Sequence, residues 1–72
     1  MTNIKVLDVI PGDRVVLING AEAVVTHNPD DGLWLFGRYV THPEGSAMVN
    51  GREYSLFSHE VKDIFSSDGN PK

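Results

Sequence analysis

Arg14-Val15-Val16-Leu17-Ile18-Asn19-Gly20-Ala21-Glu22-Ala23-Val24-Val25-Thr26 holds the reading that decides the fold. Two apolar runs of strand length flank Asn19-Gly20. Asn-Gly is the dipeptide that best tolerates the positive φ angles of a two-residue type I′ hairpin turn. Strand side chains alternate between faces, so Val15 and Leu17 fall on one side, followed by Ala21, Ala23 and Val25. These are the expected core positions. A second Asn-Gly, Asn50-Gly51, lies between Ala47–Val49 and Glu53–Phe57 and predicts a second tight hairpin.

The remaining apolar residues group in the same way. Ile4–Leu7, Leu33–Val40 and Val61–Phe65 are all of strand length, and most of these runs are too short for a stable helix. Asn28-Pro29-Asp30-Asp31-Gly32 and His42-Pro43-Glu44-Gly45 carry turn chemistry, as does Pro11-Gly12-Asp13. In the third run Leu33, Leu35 and Gly37 are expected inside with Tyr39 at the margin. Trp34, Phe36, Arg38 and Val40 then take the opposite face. Tyr54, Leu56, Val61 and Ile64 complete the expected interior. Ser58–Phe65 has a rival helical reading, with Ser58 as N-cap. A single turn at Ser58-His59-Glu60 followed by a short strand accounts for the same residues and is preferred. The expected structure is all-β, five or six short antiparallel strands closing as a small barrel over residues 1–65, with a disordered polar tail at 66–72.

Gly12-Asp13-Arg14-Val15-Val16-Leu17, the Gly-containing hairpin at Asn19-Gly20 and Ala23-Val24-Val25 together resemble the opening of small SH3-like barrels, including KOW-type domains. Arg52 to Ile64 is similar to their closing strand, one-turn 3-10 element and final strand. Ala23 stands where many KOW hairpins carry a second glycine. The resemblance implies a barrel fold, and its ribosome- or polymerase-associated members imply RNA or protein as partners. Gly12 to Val15 is also similar to the opening of a small-barrel dihydrofolate reductase family. That family's active-site run Val-Gln-Ile-Tyr would fall on Glu53-Tyr54-Ser55-Leu56, where no residue matches, so its catalysis is not carried over.

Composition narrows the function classes. The 72 residues carry 10 acidic and 6 basic side chains, a net charge of −4, which opposes non-specific attraction to phosphate backbones. With no cysteine there is no disulfide framework, thiolate zinc site or thiol nucleophile. Together with the lack of a leader pattern in Met1–Lys5 and of a long apolar run, this reads as a cytoplasmic chain with no membrane partner. His27, His42 and His59 lack zinc-motif spacing, and Asp30-Asp31 lacks the alternating ligands of a calcium loop, so no metal or cofactor is expected. Ser46, Ser55 and Ser58 have no nucleophile-elbow context.

What remains is aromatic. Large aromatics with arginine dominate binding hot spots, and Trp34, Phe36, Arg38 and Phe57 form the candidate partner surface. A loop folding over Trp34 would make it a core residue instead. The expected function is a non-catalytic protein-interaction module, a small accessory, regulatory or inhibitory protein docking on a larger assembly. Two alternatives stand beside it. In the first, Trp34, Phe36 and Tyr39 stack nucleic-acid bases while Arg38, Arg52 and Lys62 meet phosphates. In the second, a self-associated small barrel is an enzyme with its site between subunits.

Overall fold

The computed structural model describes residues 6–72. Ile4 and Lys5 of the first apolar run lie outside the described residues. Val6–Asp8 forms a 3-10 turn (η1) rather than a strand. Five strands follow: β1 Arg14–Leu17, β2 Glu22–His27, β3 Trp34–Thr41, β4 Tyr54–Phe57 and β5 Val61–Phe65. They form one antiparallel sheet in the order β4-β3-β2-β1-β5. The all-β reading is therefore correct.

The connection between the two edge strands bends this sheet. Four strand spacings would separate β4 from β5 by ~19 Å in a flat sheet. Only the single 3-10 turn Ser58–Glu60 (η3) joins Phe57 to Val61, and such a turn advances about 2 Å per residue. The sheet must curl for so short a link to reach. The turn-then-strand reading of Ser58–Phe65 holds.

Alternation places the core. Val15, Leu17, Ala21, Ala23, Val25, Leu35, Leu56, Val61 and Ile64 are buried, joined by Val6 and Val9 from the N-terminal segment. Tyr39 and Tyr54 pack half-buried against this cluster with ring centroids 5.2 Å apart. Gly37 is buried where β3 presses against β2: a Cβ there would lie 2.6 Å from the Val24 carbonyl oxygen and 3.2 Å from Leu56 Cδ1.

Several expectations are corrected. The β1–β2 turn is closed by the Gly20 N–H on the Leu17 carbonyl (2.9 Å), and Leu17 N–H donates to Ala21 (2.8 Å). Gly20 has φ 92° while Asn19 does not share a positive φ, so this is a bulged turn with one left-handed glycine and not type I′. Asn19 instead accepts the Ala21 N–H on its side chain at 2.9 Å. Asn50-Gly51 makes no hairpin at all. It lies in the long connection of residues 42–53, where Asn50 Nδ2 donates to the Ala47 carbonyl (3.1 Å) and to the Tyr54 hydroxyl (2.7 Å). The expected strand at Ala47–Val49 is replaced by a 3-10 turn, Ser46–Met48 (η2), entered through Gly45 at φ 96°. Leu33 is 49% exposed rather than inside. Asp31 Oδ1 accepts both the Leu33 and the Trp34 N–H (2.8 and 3.0 Å), which holds Leu33 in the turn and starts the alternation at Trp34.

Residues 66–72, expected as a disordered tail, have a defined place. Ser66 N–H donates to Asn70, Lys72 N–H donates to the Ile64 carbonyl at 2.8 Å, and Phe65 pairs with Pro71. This return leg covers part of the β5 edge.

Candidate functional site

The strand alternation that buries Leu35 and Gly37 turns Trp34, Phe36 and Arg38 outward together, and the β3–β4 register sets Phe57 directly opposite Trp34. Their rings lie 5.1 Å apart, tilted by 42°. Trp34 is 41% and Phe57 36% exposed, so Trp34 belongs to the surface and not to the core. The connection after β3 leaves it open: His42 packs edge-on against Tyr39, at 4.7 Å, rather than against the indole.

Two histidines extend the cluster. His59, carried by η3, stacks on Phe57 at 5.0 Å and 9°, and His27 at the end of β2 lies 5.9 Å from Phe36. The His59 contact follows from η3 and the His27 contact from the β2–β3 register, which shifts after Val25 to set His27 opposite Phe36, and neither turn chemistry nor alternation discloses them. Arg38 is exposed on the same face but pairs with Val24, four residues along β3 from Trp34. That spacing corresponds to ~13 Å of strand. The four expected site residues therefore share a face without forming one point: Trp34 and Phe57 pair ring to ring, Phe36 packs against His27, and Arg38 stands apart from the Trp34–Phe57 pair. Tyr39, a proposed base-stacking partner, faces inward beside Tyr54, and its hydroxyl pKa is pushed up by burial first, with smaller contributions from the Glu60 and Tyr54 charges.

Charge at the aromatic end is fixed by the β2–β3 loop. Asp30 takes φ 63°, its N–H donating to Asn28 Oδ1 at 2.9 Å, and Asp31 anchors Leu33 and Trp34. The Asp31 carboxyl is held below its ordinary value by the Trp34 N–H first and the Leu33 N–H second, so it stays charged to lower pH. On the far side of the sheet's outer face, a shallow groove of about 550 Å³ runs between Arg14, Val16, Glu22, Val24, Phe65 and Gly69. Arg14 and Glu22 meet across it at 3.7 Å as an exposed pair. Such pairs contribute little.

Among the described residues no three His, Asp or Glu side chains converge to hold a metal ion, and no helix is long and apolar enough to cross a membrane. No family model matches the chain, and neither a curated protein nor a solved structure matches it. The arrangement offers apolar contact area, π faces and a neighbouring carboxylate, which suit recognition.

Proposed function

We propose that this chain is a non-catalytic protein-interaction module of small SH3-like barrel type, docking on a larger assembly as an accessory, regulatory or inhibitory protein. The observation that carries this reading is the half-exposed Trp34–Phe57 pair on an ordered sheet face. Rigid aromatics on strands are preorganised, so little side-chain entropy is lost when a partner covers them. The nucleic-acid alternative is the weaker one. Tyr39 is withdrawn from the outer face and the net charge is −4, whereas single-strand platforms pair their aromatics with a basic groove.

The test is affinity capture from the native host with the intact chain and with Trp34→Ala and Phe57→Ala, each checked for folding by urea titration. The expected result is a discrete protein partner lost from both variants while folding persists. Capture unchanged in both variants, or binding of single-stranded RNA with a steep salt slope, would overturn the reading.

A further inference from the structure

The two edges of the sheet are not treated alike. The β5 edge is partly closed by the chain itself, through the Phe65–Pro71 bridge and the Lys72 N–H on Ile64. The β4 edge has no such cover among the described residues. Its free backbone groups follow from the ladder. Ser58 N–H donates to the Leu33 carbonyl at 2.8 Å, which makes Leu33–Ser58 a bonded position and, by alternation, Leu35–Leu56 and Gly37–Tyr54 as well. The Ser55 N–H and carbonyl and the Phe57 N–H then point away from β3, while the Phe57 carbonyl is taken by the first bond of η3 as its N-cap, and both residues are exposed. Their side chains stand on the outer face, Phe57 opposite Trp34 and Ser55 opposite Phe36. An unpaired edge and an aromatic surface thus adjoin at Ser55 and Phe57.

The charge around that edge selects the occupant. Asp30 and Asp31 lie in the loop that leads directly into Trp34, and Asp31 Oδ2 has no protein partner among the described residues. Arg38, on the same face, is ~13 Å along the strand from Trp34, beyond the roughly 8 Å over which charges act at physiological salt. Lys62 and Asp63 on β5 are adjacent and opposite in sign. The chain as a whole carries −4. Arginine suits such a place better than lysine, because its planar guanidinium stacks on an aromatic face while donating to a carboxylate.

The geometry points to strand addition: an extended segment of a partner protein, carrying arginine at alternate positions, pairs with β4 at Ser55 and Phe57 and lays a guanidinium on Trp34 and Phe57 within reach of Asp31. Main-chain hydrogen bonds supply part of the affinity, and the alternate side chains supply the selectivity. This rests on the docking reading above and names the chemistry of its ligand.

The test uses the full chain, ¹⁵N-labelled, titrated with an acetylated and amidated Thr-Arg-Thr-Arg-Thr-Arg-Thr peptide. Two comparison peptides replace arginine by glutamate, or N-methylate the backbone at alternate residues so that strand pairing is blocked. The expected result is amide shifts concentrated at Ser55 and Phe57 with a shift of the Trp34 indole, and at least tenfold weaker binding of both comparison peptides. Asp31→Asn is expected to weaken the arginine peptide severalfold and to lower the urea midpoint at pH 7 only slightly, because an asparagine Oδ1 can still accept the Leu33 and Trp34 N–H. Equal binding of the glutamate and N-methylated peptides overturns the proposal, as do shifts centred on the Arg14–Glu22 groove, a uridine oligonucleotide binding the same amides more tightly, or self-association of the chain through them. If the arginine peptide leaves all amides unmoved while host capture still depends on Trp34 and Phe57, strand addition by a basic segment is wrong and the docking reading survives. If capture is also indifferent to both residues, the docking reading fails.

Discussion

Lys72 Nζ lies 2.5 Å from Asp13 Oδ2, and that carboxylate belongs to a residue only 1% exposed. Asp13 also accepts the Ile10 N–H at 3.0 Å, while Lys72 Nζ donates to the Asp8 carbonyl at 2.9 Å. One ion pair therefore joins the segment before β1 to the return leg after β5. A buried carboxylate is tolerated only with such partners, and removing one leaves the other uncompensated.

Lys72→Ala is expected to destabilise the chain by about 1–3 kcal/mol, the scale for leaving a buried polar group short of a partner, reduced from the fully buried limit because the lysine side chain is 31% exposed. Asp13→Ala removes the acceptor for Ile10 as well and is expected to cost no less. Urea titration of both variants checks this ordering. A midpoint unchanged in Lys72→Ala contradicts the pair's role.

Gly37→Ala tests the close approach of β3 to β2. The contact would be with backbone, the Val24 carbonyl oxygen at 2.6 Å, which cannot swing aside as a side-chain tip does. Overpacking of this kind costs typically about 1–3 kcal/mol. Thermal unfolding is expected to show that loss, and an unperturbed transition would mean the strands separate more easily than the register implies.

Trp34→Ala and Leu56→Ala separate surface from core. Leu56 is 2% exposed and its truncation is expected to cost about 2–5 kcal/mol, whereas Trp34→Ala is expected to fall well below the ~3–5 kcal/mol typical of a core tryptophan. A double-mutant cycle with Phe57→Ala should return a coupling of about 0.5–1.5 kcal/mol, the range for a tilted aromatic pair.

The pH dependence has a definite sign at both ends. Asp31 is held low by the Trp34 and Leu33 N–H groups, and Asp68 by the Ser66 hydroxyl first and the Asn70 N–H next. A depressed folded-state carboxyl contributes stability above its unfolded value, and that contribution is lost as pH falls through the folded value. The Tyr39 hydroxyl is raised above 10.0, first by burial, so its contribution is present below that pH and lost as pH rises through the folded value. The urea midpoint is expected to decline below about pH 4 and again above about pH 10. Asp31→Asn should flatten the acid limb, and Tyr39→Phe the alkaline one. An acid limb unchanged by Asp31→Asn would sink the assignment of the loop carboxylate.

The sheet was legible because alternation in Val15–Leu17, Ala21–Val25 and Leu35–Gly37 is a local property that burial enforces without help from distant residues. Asn19-Gly20 marked a turn for the same reason, although the side-chain bond from Asn19 to Ala21 selected a bulged form. Asn50-Gly51 misled because a turn dipeptide specifies local φ angles and not what lies on either side. There Tyr54 and Ala47 draw Asn50 into a long loop. Leu33 departs from the alternation because Asp31 closes the turn over it before the strand begins at Trp34. For the site, the shared face of Trp34 and Phe36 follows from a two-residue period, and Phe57 joins it through the β3–β4 register. Its ring stack with His59 and the bare β4 edge depend on sheet order and curvature, which no single stretch of sequence contains.

The chain has one tryptophan, so acrylamide quenching of its fluorescence reports Trp34 alone. In the folded protein at low concentration the indole is expected to be quenched substantially, approaching half of the accessibility it shows in urea, with no sigmoidal dependence on protein concentration. An indole shielded from acrylamide in the native state would mean that this face is already covered, and the docking surface built on Trp34 and Phe57 would not exist.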